Sequence, residues 1–260
     1  MVHPTDGFYR KDGKKYVSFS TVIEETNHIC DPNKVYFLEK WRRETDGWED
    51  IVQAAIKRGK ILHHEIEMVL GLHQNSPPDE QDIAELLEDP AGLKKLRVPQ
   101  YLEQILEHGM LNYFAEGDPC PEEESFSERF GFACTKDLRC QAAFKKNSHD
   151  YNIDPDGEKQ LTVIDWKNIR DKWTDDDELI KKAKPRSQHA DNFIQLGANA
   201  LAFNETSDVK ITQGAVVALY SWRPPRIHVL NYEELKKNAV IFLERLQIFK
   251  QLHNLTLPSK

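Results

Sequence analysis

Asp165 and Lys167 stand two residues apart at the close of a short apolar run, Leu161-Thr162-Val163-Ile164. The period-2 geometry of a strand puts both on one face, a carboxylate beside an ammonium. A carboxylate so placed can hold a divalent cation, and the lysine can orient or activate an attacking water. The spacing alone is weak evidence, because Asp12-Gly13-Lys14, Asp208-Val209-Lys210 and Glu234-Leu235-Lys236 repeat it. Three further features accompany Asp165-Trp166-Lys167. His63 and Glu67 lie four residues apart, hence on one helix face, where an imidazole and a carboxylate could serve a metal. They do not form a zinc-protease motif, since His64-Glu65 has no second histidine at the required spacing. Asp137 opens a predicted strand, and on a strand adjacent to Asp165 it could share a metal that relieves the repulsion between the two carboxylates. Gln195 can hydrogen-bond a phosphate or orient the lysine. Each feature also has a plainer reading: a surface His/Glu pair, a hairpin turn residue, and an exposed helix residue.

Positioning these groups requires helices first and a sheet after them. Helical apolar spacing runs from about residue 21 to 44 through Val22, Ile23, Val35, Phe37, Leu38 and Trp41, broken near Asp31-Pro32. A second helix, about 48–70, is striped by Ile51, Ala55, Ile61, Leu62, Ile66 and Val69 and carries His63 and Glu67. Two more helices are predicted at about 79–88 and 99–114. Strands then follow at 125–132, 137–144 and 160–166, with 147–157 a polar loop. A helix over about 187–204 carries Gln195, a strong strand covers 214–220, and a short one covers 226–230 after Pro224-Pro225. An amphipathic helix over 232–252 ends the series. The order α-β-β-β-α-β describes an α/β domain with a mixed sheet, decorated by helices.

Composition sets the bounds. A chain of 260 residues, 39% hydrophobic and 30% charged, is a rather polar globular protein able to bury a sizeable core. No apolar stretch approaches the roughly 20 residues that span a bilayer. Residues Met1 to Asp6 carry neither a signal core nor a transit pattern, so a cytoplasmic location without membrane partners is expected. The net charge of −8 argues against nonspecific coating of nucleic acid but leaves room for a local basic groove. Positive charge gathers at Arg42-Arg43, at Lys57-Arg58-Gly59-Lys60, over 181–186, and at Arg223 and Arg226. Each such cluster reads equally as a solvated face. Negative charge is dense in Glu122-Glu123-Glu124 and over 175–178. The cysteines Cys30, Cys120, Cys134 and Cys140 contain no C-x-x-C pair, and a disulfide framework is not expected in a chain this long without a signal. Spacing alone leaves open a dispersed four-thiolate iron–sulfur cluster.

Taken in order, Gly59-x-x-x-His63-x-x-x-Glu67, then Asp137, then a hydrophobic strand ending Asp165-x-Lys167, then a helical Gln195, resembles the RecB-like exonuclease branch of the PD-(D/E)XK nuclease superfamily. Within it the chain is most similar to the mitochondrial genome maintenance exonuclease group and its phage and bacterial relatives. The likeness extends to Val17-Ser18-Phe19-Ser20-Thr21-Val22-Ile23, to Phe37-Leu38-Glu39-Lys40-Trp41-Arg42 and to Val163-Ile164-Asp165-Trp166-Lys167. The resemblance implies a restriction-endonuclease-like αβββαβ core behind an N-terminal helical region, in a single nuclease domain. Residues about 17–115 would be the helical region, about 124–230 the catalytic sheet core and 231–254 the C-terminal helix. It implies His63, Asp137, Asp165 and the Trp166 backbone carbonyl as ligands of Mg²⁺ or Mn²⁺, Lys167 as the catalytic lysine, and Glu67 and Gln195 in support. Ser20, Thr21, Trp41, Arg42, Arg58 and Lys60 would contact DNA, although Trp41 also reads as core. The implied activity is exonucleolytic hydrolysis of single-stranded DNA by a monomer, in replication, repair or recombination within a bacterial or phage-infected cell. An endonuclease or flap nuclease on the same scaffold, or a non-catalytic nucleic-acid-binding module, are the competing readings. Cys134 replaces the glycine usual three residues before the motif aspartate, and Asn199 replaces a tyrosine after the glutamine. Relatives with an iron–sulfur cluster place three cysteines after the glutamine. No cysteine follows Cys140 here, so no cluster is expected.

Overall fold

A computed structural model of the chain describes residues 6–70, 97–148, 150–169 and 189–255. The N-terminus forms a hairpin of β1 (Phe8–Lys11) and β2 (Lys14–Ser18), turned through the positive φ of Asp12 and Gly13. Three helices follow: α1 (Phe19–Cys30), α2 (Pro32–Glu44) and α3 (Trp48–Val69). Ser18 caps α1 by accepting from the Thr21 N–H, and Asp31 caps α2 just before Pro32, the preferred place for a helix-starting proline. Beyond lie α4 (Val98–Glu107), α5 (Met110–Ala115), β3 (Cys120–Ser127), β4 (Phe132–Ala142), β5 (Phe144–Asn147), β6 (Asp150–Ile153) and β7 (Gln160–Asn168). The chain closes with α6 (Ala190–Thr206), β8 (Gln213–Leu219), β9 (Arg226–Leu230) and α7 (Tyr232–Leu252).

Among the described residues all nine strands join one mixed sheet in the order β1-β2-β4-β7-β8-β9-β6-β5, with β3 also on β4. β2 runs parallel to β4 and β7 parallel to β8, while the other pairings are antiparallel. Helices cover both faces. Ile61, Leu62 and Ile66 of α3, with Tyr101 and Ile105 of α4 and Phe114 of α5, bury one face against Leu138, Ile164 and Trp166. Helices α1, α6 and α7 bury the other through Val22, Ile194, Leu196, Leu235 and Phe242. The strands of the centre are apolar on both faces, as a doubly covered sheet requires.

Strand pairing along β4 is uneven. β3 occupies one edge of β4 from Phe132 to Arg139. The other edge is shared: β2 pairs with Phe132 and Ala133, and β7 takes over at Leu138. Between them, on that edge, Cys134 to Asp137 have no strand partner among the described residues, and the sheet splits.

The mixed α/β architecture and the two long C-terminal helices match the sequence expectation, and α7 matches it end to end. Several details differ. The region before residue 115 is not purely helical, because Phe8 to Ser18 pair as strands. The helix predicted over 99–114 is two helices, divided where Gly109 takes φ 60°. The strand predicted over 125–132 ends at Ser127 and turns through Gly131 (φ 70°). The supposed polar loop over 147–157 contains half of the β5–β6 hairpin. The helix predicted at 79–88, the first residues of the one at 187–204, and the charged runs 175–178 and 181–186 lie outside the described residues. No described helix is long and apolar enough to cross a membrane.

Candidate metal-binding and catalytic site

The split beside β4 opens a cavity of about 250 Å³, lined by Ser18, His63, Glu122, Asp137, Lys167 and Gln195 among others. β7 carries Asp165 and Lys167 to its rim on a common face, with Lys167 Nζ 2.7 Å from Asp165 Oδ1. Asp165 is only 1% exposed, its carboxylate held against the Lys167 ammonium. Asp137 stands one rung beyond the Leu138–Ile164 pair of β4 and β7, which sets it opposite Asp165. Its Oδ2 accepts the Trp166 backbone N–H at 2.8 Å. From α3, His63 Nε2 reaches to 3.8 Å of Asp137 Oδ2, and His63 Nδ1 to 3.8 Å of Glu122 Oε1. One ligand atom each from His63, Glu122 and Asp137 lie within 4.8 Å of one another.

The charges in this pocket are crowded, and protons accumulate to compensate. Burial drives the Asp165 carboxyl well above the usual carboxylate range in spite of Lys167, and Asp137 adds to the rise. Burial would lower the Lys167 pKa, but Asp165 and Asp137 outweigh it and keep the ammonium charged. Burial likewise opposes a charged His63, yet Asp137 and Glu122 hold its pKa up to about 9. Burial, followed by the charge of Glu122, pushes Glu67 to about 7, and a hydrogen bond with Glu122 favours its protonated form. A buried carboxylate held against one ammonium, beside an imidazole and further carboxylates, fits a hard divalent cation: bound there, the cation would supply the positive charge that the protons otherwise provide.

Sequence reasoning located His63, Asp137, Asp165 and Lys167, and the structure brings these four together with Gln195 and, beside His63 and Glu122, Glu67. Asp137 is not a turn residue; it lies within β4. Trp166 contributes its N–H to Asp137, and its indole is buried against Phe114. Ser20 lines the cavity, whereas Thr21 does not: its hydroxyl is occupied with Ser18 and the Gly7 carbonyl. Trp41 is not core, because α2 buries none of its residues. Arg42 stacks on Trp48. Arg58 reaches Asn168, next to Lys167, at 3.1 Å and lies over the Tyr101 ring, while Lys60 is exposed on the same helix.

Glu122 is the residue missed. Within Glu122-Glu123-Glu124 it looks like any solvated acidic run, and its role comes only from register. Pro121 pairs with Leu138 and Glu123 with Lys136, so Glu122 stands opposite Asp137. Its neighbour Glu123 is engaged instead with Lys136 (3.2 Å) and Arg139 (2.9 Å). An acidic residue in the strand preceding Asp137 was the available signal.

No family model matches the chain, and no curated protein matches it. Among solved structures, the crystal structure of a protein from Eubacterium rectale named "Putative exonuclease" is similar over 100% of this chain and 90% of that one. The TM-score is 0.52 at 11% sequence identity, a likeness of fold. This chain thus shares its mixed α/β architecture with a protein bearing an exonuclease's name.

Proposed function

We propose that this protein is a divalent-metal-dependent deoxyribonuclease of the PD-(D/E)XK superfamily, RecB-like branch, that hydrolyses single-stranded DNA from a free end. The observation that carries the reading is the convergence of His63, Glu122 and Asp137 within 4.8 Å, beside a buried Asp165 that is paired to Lys167. The fold shared with the Eubacterium rectale protein supports it. Mg²⁺ or Mn²⁺ would be held by His63, Asp137 and Asp165, with Glu122 added to the set and the Trp166 carbonyl as a further ligand. Bound there, the metal would polarise the scissile phosphate and lower the pKa of a bound water.

The chain's own residues supply the rest. Lys167, kept charged by two carboxylates, orients the attacking water and offsets negative charge developing on the phosphate oxygens. The Trp166 N–H fixes the Asp137 carboxylate in place. Glu67, protonated near neutrality through burial and Glu122, hydrogen-bonds Glu122 and sets its orientation. Gln195, which lines the cavity, donates to a non-bridging phosphate oxygen. Ser20, Arg58 and Lys60 flank the strand's path.

Digestion of end-labelled linear and covalently closed single-stranded DNA with Mg²⁺ or Mn²⁺ tests this directly. Linear DNA is shortened from an end and the closed circle stays intact; a cut circle would move the assignment to an endonuclease. Asp165→Asn and Lys167→Ala each abolish cleavage in a folded protein. Wild-type turnover by either variant overturns the site.

A further inference from the structure

Leu219 is the last residue of β8 paired with β7, opposite Asn168, and the Ile169 N–H donates to the Leu219 carbonyl at 2.8 Å. Because β8 runs parallel to β7, the segment 220–225 leaves the sheet at the same strand ends that present Lys167. This short loop contains Arg223. Its guanidinium carbon lies 5.4 Å from the centre of the Tyr220 ring and 5.6 Å from that of Trp222, and the two rings meet edge to face at 5.8 Å. Pro224 and Pro225 follow, and β9 begins at once, so little backbone freedom is left.

The next arginine offers a contrast. Arg226 is neutralised by Asp150 through two hydrogen bonds of 2.6 and 2.7 Å. Arg223 has no carboxylate partner among the described residues, and its Nε is buried without an acceptor. Desolvating a guanidinium N–H and leaving it unpaired is costly, and in a chain of net charge −8 a carboxylate partner would be easy to supply. Two aromatic faces instead hold the planar group still, which preserves the fork that matches two phosphate oxygens.

We infer that Arg223 is a phosphate-binding residue, gripping the backbone of single-stranded DNA beside the scissile phosphate; this rests on the nuclease reading given above. The contact reads no base, so it suits an enzyme that moves along a strand of any sequence. Tyr220 and Trp222 act as positioning residues for the guanidinium.

Fluorescence anisotropy with a fluorescein-labelled single-stranded oligothymidylate, in metal-free buffer over a salt series, is the test. Arg223→Ala weakens binding by about tenfold. The slope of log affinity against log salt becomes shallower by about 0.7, the share of one phosphate contact on a single strand. In metal-dependent cleavage of the same oligonucleotide, the loss falls on KM and much less on kcat. Should Arg223→Ala unfold early, Arg223→Gln removes the charge while keeping the stem over the rings, and makes the same comparison. A folded variant with wild-type affinity and salt slope overturns the inference. Wild-type cleavage with no dependence on Arg223 overturns it and leaves the nuclease reading standing. Binding that depends on Arg223, in a wild-type protein without metal-dependent cleavage, does the reverse.

Discussion

Glu122 takes φ 46°, a conformation costing a residue with a Cβ about 1–2 kcal/mol. The strain falls where its carboxylate meets His63. His63 in turn holds its proton up to a pKa of about 9, because Asp137 and Glu122 outweigh the effect of burial. A metal takes only the neutral imidazole, so under the proposed chemistry a dication must expel that proton. Metal affinity therefore rises with pH and levels off above about 9. Calorimetric titration with Mn²⁺ at neutral pH, in two buffers of different ionisation enthalpy, shows proton release. Glu122→Gln, which removes one of the carboxylates retaining the proton, releases fewer. Of these residues His63, Asp137, Asp165 and Lys167 were legible in the sequence, because spacing along one helix or one strand is a local property. Glu122 was not, because its partner lies across a strand pair whose register no local pattern fixes.

At the scale of elements, Gln195 depends on where α6 sits, and α6 sits where α7 allows it. Gly197 makes this possible: a Cβ added there would come 2.5 Å from the Ala239 backbone N of α7. Because the obstacle is backbone and not a flexible side-chain end, Gly197→Ala must push the helices apart. A loss of about 2 kcal/mol is expected, measured as a lower urea midpoint with an unchanged slope. Cleavage falls as well, since Gln195 lies on the displaced helix. α7 is otherwise well anchored by the reciprocal Asn231 and Glu234 cap at its start. The long helices and apolar strands were readable because their periodicity extends over many residues. The hairpins β1–β2 and β5–β6 were not, since strands of four or five residues with several lysines and few apolar positions owe their existence to the neighbour that pairs with them.

For the whole molecule, gathering His63, Glu122, Asp137 and Asp165 in one split of the sheet is a burden on stability that, under the proposed chemistry, a bound cation would relieve. Adding Mn²⁺ at about 100 times its Kd should stabilise the protein by about 2.7 kcal/mol, seen as a rise in Tm that chelation reverses. Asp165→Asn removes a carboxyl that burial disfavours in its charged form; its metal-free Tm is no lower than wild type, and most of the gain from Mn²⁺ disappears. The sequence by itself determined the α/β class, the strand that ends in Asp165-Trp166-Lys167, and the helix face shared by His63 and Glu67, since these follow from short-range periodicity and burial. Long-range pairing, in contrast, makes β2 and β7 divide one edge of β4 and leaves Asp137 facing a cavity. The fold alone brought Glu122 opposite Asp137 and left Arg223 between two rings, without a carboxylate partner among the described residues. Those outcomes depend on register between distant strands and on which counter-charges arrive nearby. Both are properties of the assembled sheet, to which residues far apart in the chain contribute at once.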